Sequence, residues 1–300
     1  MPHARDVLAA SLLLALPSAA ATLPEAGVEG MGVVSTAAVE VRAAISPDGT
    51  RIVWGSIGRD GGPGGWDLWE ATRRDGAWVD PRPLRTPVNS EANDFDPAFS
   101  ADGRWLYFFS NRPGGYGGDD LYRAAVREDG SYGTPENLGP GVNSAGDEWA
   151  PAPHPDGTHL LFASDGFGGA GRHDLFVARW DGEAFVDPRP VPGLGTAGDD
   201  FDAAWLGDGE AIVFARSDDV DTQPTRLWVA RCDGAAYVDA QPLALALNAP
   251  DGTTLGPAVD PTRPGELLVS GVGTPHAGRL DILRVRAPAV TGEPGCVSAR

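Results

Sequence analysis

Three hundred residues are enough to bury a large core, and 42% hydrophobic content with nine Trp excludes a disordered chain. The 41 Gly and 27 Pro exclude long helices, because glycine costs backbone entropy and proline lacks a donor; the class that remains is all-β with many turns. A formal charge of −19, with Arg as the only basic residue besides His and no Lys, makes nucleic acid and anionic lipid poor partners and removes Schiff-base and P-loop chemistry.

In chain order, residues 1–21 read as a secretory signal peptide. Arg5 supplies the positive region, Val7–Leu16 the apolar region, and Ala19-Ala20-Ala21 the cleavage site. No other long apolar run follows, so the mature protein is expected to be exported, periplasmic or secreted, without a membrane span. The two cysteines, Cys232 and Cys296, either pair in that oxidising compartment or stay as two unrelated thiols.

From Asp48 onward one unit is written five times. Asp-Gly recurs at 48, 102, 156 and 208, at spacings of 54, 54 and 52 residues, with Pro264-Gly265 in its place in the fifth unit. Each unit predicts four short strands. The first is AAIS, PAFS, PAPH, AAWL or PAVD; the second, nearly all apolar and so buried on both faces, is RIVWGS, WLYFFS, HLLFAS, AIVFAR or ELLVSG. The third begins at WDLW, DDLY, HDLF, TRLW or LDIL, and the fourth is opened by the aromatic after a second Asp-Gly turn. Four antiparallel strands at this period are propeller blades. The fold class expected is an all-β propeller of five blades, with six as the alternative. Residues 22–288 form one domain and 289–300 a tail. The fifth unit lacks a fourth strand, and residues near Gly30–Thr36 are expected to complete it, covering edge hydrogen bonds that would otherwise be exposed.

SADGRWLYFFSNRPGGYGGDDLY, with Ser46-Pro47-Asp48-Gly49 in the first unit, resembles the WD-like β-propeller repeat of TolB-type periplasmic proteins. The likeness covers about residues 34–286 and weakens in the last two units. It implies an exported, non-enzymatic propeller.

In such a blade the Gly-rich loops between strands two and three share a face with the links between blades, and the Asp-Gly turns occupy the other. On the loop face, Glu40, Asp94, Glu148 and Asp200 fall at one repeat position, with Thr254 breaking the series and Asn93, Asp147 and Asp199 just before three of them. These acids suit either blade-to-blade hydrogen bonding or a channel-mouth ring able to hold a cation or supply the paired acids of a glycosidase. Asp67, Asp120, Asp174 and Asp281 precede strand three, where a short carboxylate can brace a loop. Trp66, Tyr116 and Phe167 sit in the Gly-rich loops, as ligand platforms or folded over their own blades. GGYGGDDLY (Gly114–Tyr122) fits a nonapeptide calcium template, but the equivalent of Asp119 is Trp66 in one unit and His173 in another, so the match is read as accidental and no cofactor is expected, with calcium as the alternative. The histidines show no metal spacing, and no G-x-S-x-G elbow occurs.

The reading that follows is a monomeric propeller binding a protein, peptide or glycan through the Gly-rich-loop face, at Trp66, Tyr116, Phe167, Glu40, Asp94, Glu148 and Asp200, with no catalytic residue. The alternatives are a glycoside hydrolase or lyase using those carboxylates, and a structural envelope component.

Overall fold

The apolar second segment of each repeat is covered on both sides, and this sets the architecture. A computed structural model describes residues 25–273 and 276–297; the leader read at 1–21 lies outside them. Among the described residues, twenty strands form five four-stranded antiparallel sheets. β1 (Glu25–Val28) comes first. The first blade is β2 (Val39–Ile45), β3 (Arg51–Ile57), β4 (Trp66–Arg74) and β5 (Ala77–Pro83). The second is β6 (Asp94–Phe99), β7 (Trp105–Ser110), β8 (Asp120–Ala125) and the short β9 (Glu136–Asn137). The third is β10 (Glu148–Pro153), β11 (His159–Ser164), β12 (Asp174–Trp180) and β13 (Phe185–Pro190). The fourth is β14 (Asp199–Leu206), β15 (Ala211–Ser217), β16 (Arg226–Cys232) and β17 (Tyr237–Pro242). The fifth is β18 (Leu255–Asp260), β19 (Arg263–Gly271) and β20 (Asp281–Arg286), completed by β1. The five-bladed propeller expected from the repeat is the fold.

Blades pack face to face, and the core lies between them. Trp54, Phe108, Phe162, Phe214 and Val269 occupy one register position in successive second strands and are fully buried. Burying side chains of this size contributes about 1.5–3 kcal/mol each. At the outer edge, β17 carries exposed residues at alternate positions and β5 exposes Asp80, Pro81 and Arg82 in a run.

Ring closure occurs by the means expected but at a different place. β1 pairs antiparallel with β20, so Glu25–Val28, not Gly30–Thr36, supplies the fourth strand of blade five. Gly30–Thr36 is the link that follows. Ser35 Oγ accepts from Ile282 N at 3.0 Å and donates to Ile282 O at 3.3 Å, as Asn89 serves Leu68, Asn143 serves Leu121 and Asn248 serves Leu227 elsewhere in the ring. EAGV has neither the length nor the opening aromatic of the other fourth strands, so its role is invisible until its partner strand is known.

Beyond β20 the chain runs back to the fourth blade, where Glu293 bridges to Asp233 and Cys296 pairs with Cys232. The bond spans 64 residues of sequence. Closing a loop of that length stabilises by about 2–4 kcal/mol, chiefly by restricting the unfolded chain. A C232S/C296S double variant is expected to lose that amount, read as a lower urea midpoint with an intact fold by circular dichroism.

Candidate functional site: the loop face and the central channel

The acids at the repeat position of Glu40 are buried latches. Asp94 accepts from Ser90 N at 2.6 Å, Ser90 Oγ at 2.8 Å and Arg112 at 2.6 Å. Glu148 accepts from Ser144 N at 2.8 Å and from Ser144 and Ser164 hydroxyls, both at 2.6 Å. Glu40 is held by Thr36 in the same way, and Asp200 by Thr196 and Arg216. All four are fully buried, and burial pushes the carboxyls of Glu40, Glu148 and Asp200 above their ordinary range. Each acid fixes the turn that leads into its innermost strand, and none of them lies beside another. The second acid series braces the Gly-rich loops. Gly64 N donates to Asp67, Tyr116 N and Gly117 N to Asp120, Gly171 N to Asp174, and Ala277 N and Gly278 N to Asp281.

The loop aromatics divide. Trp66 stacks on Phe95 of the next blade, centroids 5.0 Å apart, and is half-buried. Phe167 packs on Phe162 and Phe176 at 6.1 and 5.7 Å. Tyr116 stands out from the loop, 53% exposed.

A different set of residues meets at the axis. The register of every innermost strand slips by a bulge, and one residue in each takes a left-handed conformation: Arg42 (φ 42°), Asp96 (56°), Ala150 (52°), Asp202 (47°) and Gly256 (62°). A bulge puts two residues opposite one and re-aims the extra side chain. These five residues form one rung across the channel. Glycine is required at 256, since a Cβ there would come within 3.0 Å of the Arg42 backbone. Arg42 donates to the carbonyls of Ala203 at 3.2 Å and Pro151 at 3.4 Å and lies 3.7 Å from Asp202 Oδ1; its Nε and Nη1 have no hydrogen-bond partner. Asp202 also accepts from Gly256 N at 2.8 Å. Asp96 and Asp202 are both buried in this rung. Burial and then the Asp202 charge push Asp96 well above the usual carboxylate range, against the pull of Arg42, and burial raises Asp202 as well.

Above this rung, toward the Asp-Gly turns, the channel widens into a cavity of about 390 Å³. Its wall is almost wholly apolar, from Ile45, Phe99, Pro153, Trp205, Leu206 and Val259 among others, with Arg42 at its floor. The bulge residues escape a reading of the sequence because they stand two places after the latch acids, in different residue types from blade to blade. The one available signal is the lone Arg among acidic, small and glycine equivalents.

No family model matches the chain, and no curated protein sequence matches it. Among solved structures it is similar to TolB from Acinetobacter baumannii, with TM-score 0.51 at 15% identity over 85% of this chain. This chain spans about half the length of that protein, 55%. A putative TolB from Agrobacterium tumefaciens gives TM-score 0.51 at 14% identity, covering 83% of each chain. A thermostable family-43 glycoside hydrolase gives TM-score 0.56 at 12% identity, over 90% of this chain and 98% of that one. At these identities the likeness is one of fold: the protein is a five-bladed β-propeller whose structural neighbours include both TolB-type proteins and glycoside hydrolases.

Proposed function

We propose that the protein is an exported, monomeric, non-enzymatic propeller that binds a protein or peptide segment, and that its principal site is the apolar channel mouth on the Asp-Gly-turn face. The observation that carries this is the cavity of about 390 Å³ with mostly apolar walls and the buried Arg42 among its lining residues. A pocket of this size and lining takes a compact apolar anchor, such as a Leu, Phe or Pro side chain presented by a partner. Proline and alanine dominate the wall, and they offer few of the flat rings and hydrogen-bonding edges that a sugar needs.

The hydrolase alternative requires two carboxyls held about 5–9.5 Å apart with room for substrate or water between them. Asp96 and Asp202 are instead both buried, and burial raises both carboxyls. Glu40, Asp94, Glu148 and Asp200 are each consumed by local hydrogen bonds. The exposed Tyr116 supports a second reading in which the Gly-rich-loop face takes the ligand.

Selection of a displayed peptide library on the purified protein tests the proposal. Wild type is expected to enrich peptides with an apolar anchor, and A258W, which fills the mouth, is expected to weaken them at least tenfold, about 1.4 kcal/mol. Y116S is expected to leave them unchanged. Loss in Y116S with retention in A258W assigns the loop face, and turnover on a polysaccharide panel assigns the enzyme.

A further inference from the structure

On the loop face of the third blade, one imidazole nitrogen of His173 and one carboxylate oxygen each from Asp147 and Asp165 lie within 4.8 Å of one another. The three residues come from separate segments: the link into β10, the end of β11 and the start of β12. Each is oriented by a bond that leaves a donor atom free. Asp147 Oδ1 accepts from Asp119 N at 2.8 Å, and Asp165 Oδ1 accepts from Asp147 N at 2.8 Å. His173 Nδ1 lies 2.8 Å from Asp199 Oδ1, and because a carboxylate oxygen accepts, Nδ1 carries the hydrogen. That leaves Nε2 with its lone pair. It is buried without a hydrogen-bond partner, on a side chain only 8% exposed.

A histidine held to a carboxylate through one nitrogen, with its other nitrogen unpartnered and its ring beside two further acids, is the arrangement that orients metal-ligating imidazoles. Among the described residues no Arg or His forms an ion pair with Asp147 or Asp165. The backbone is shaped for the two acids as well. A Cβ at Gly118 would fall 2.0 Å from Asp147 Oδ1, and one at Gly146 would fall 2.0 Å from Asp165 Oδ1.

The repeat supplies an internal comparison. The same scaffold bond joins Asn93 N to Asn111 Oδ1 at 2.9 Å in the second blade, where the third position is Asp119. In the first blade the positions hold Val39, Ile57 and Trp66. Only the third blade has an acid or a histidine at all three, so the scaffold is common and the donor set is particular.

We propose that Asp147, Asp165 and His173 form a site for one divalent transition-metal ion of the Zn²⁺ class. One imidazole and two carboxylates suit Zn²⁺ better than Ca²⁺, which takes six to eight oxygen ligands. Binding draws the three groups together, the exposed Asp165 moving most, and leaves a coordination position toward solvent. Asp199 acts as the positioning residue.

Calorimetric titration of the chelator-stripped full chain with ZnCl₂, CaCl₂ and MgCl₂ tests this. Wild type is expected to bind one Zn²⁺ tightly and neither of the others comparably. D165N, which alters an exposed side chain and leaves the fold intact, is expected to weaken Zn²⁺ at least tenfold, H173Q more, and D199N by about 10–100-fold. The H154Q/H159Q double variant, which removes the histidine pair on the opposite face with ring centroids 6.2 Å apart, is expected to bind as wild type does. The proposal is overturned by absence of Zn²⁺ binding, by Ca²⁺ binding without Zn²⁺, or by Zn²⁺ affinity that survives both D165N and H173Q.

Discussion

Replacing Arg42 with Met is expected to cost about 3–5 kcal/mol of folding stability at pH 8, the usual penalty for removing one partner of a buried charge cluster. Arg42 is 2% exposed and, among the described residues, is the only cation that faces Asp202 and Asp96 across the channel rung. Met keeps most of the volume, so a purely steric effect is small. What is left behind is a pair of buried acids with no counter-charge.

The pH dependence separates this electrostatic cost from the loss of the two carbonyl hydrogen bonds. Burial and Asp202 raise the Asp96 carboxyl far above its value in the unfolded chain, and burial raises Asp202 too, with Arg42 opposing both shifts. A carboxyl raised on folding contributes stability that is fully present below the unfolded value, about pH 4, and is lost as pH rises toward the folded one. Removing Arg42 raises both acids further. The deficit of R42M against wild type is therefore expected to be largest at pH 8 and to shrink toward pH 4, as the two acids take up protons and lose the charge that Arg42 offsets. Urea titrations at four pH values between those limits measure it. Adding D96N to R42M is expected to recover part of the loss at pH 8. A deficit that stays constant with pH would assign it to the hydrogen bonds to Pro151 and Ala203.

The same rung explains what is legible in the sequence and what is not. Second strands such as WLYFFS and HLLFAS announce themselves because central strands of a blade are buried on both faces. The Asp-Gly turns are equally plain, since Gly49, Gly103, Gly157 and Gly209 need positive φ. Innermost strands are harder. PAFS and PAPH mark only the part after the bulge, whereas the strands begin at Asp94 and Glu148. The bulge interrupts alternation with a residue that faces the axis, so Asp96 and Asp202 read as loop acids. The latch acids were visible as a series, and their bonds to a Ser or Thr four residues earlier follow from a spacing the sequence already contains. The meeting of His173 with Asp147 and Asp165 is not encoded by spacing at all. It depends on three turns of one blade arriving at one corner.

Arg284 governs the other large effect, at the seam where the ring closes. Its side chain, 7% exposed, donates through Nε to Glu29 at 2.8 Å and through Nη1 to Asp260 at 2.7 Å and Glu266 at 2.8 Å. One guanidinium thus joins β18, β19 and β20 to the segment just after β1, and Trp78 Nε1 holds the other Glu29 oxygen. R284M is expected to cost about 3–5 kcal/mol at pH 7. Although burial alone raises Asp260, hydrogen bonds from Thr262 and Arg284 bring its carboxyl below the ordinary range. That stability is present above about pH 4 and is lost as pH falls through the lowered value. In R284M the lowering due to Arg284 is lost, so the two proteins converge on acidification and differ most at neutral pH. R284K is expected to recover less than half of the loss, because one ammonium cannot reproduce a planar fork that reaches three carboxylates. Limited proteolysis reads the seam directly: cleavage near residue 30 is expected to precede global unfolding in R284M and not in wild type. Equal cleavage in both proteins, with R284K as stable as wild type, would make Arg284 an incidental surface pair.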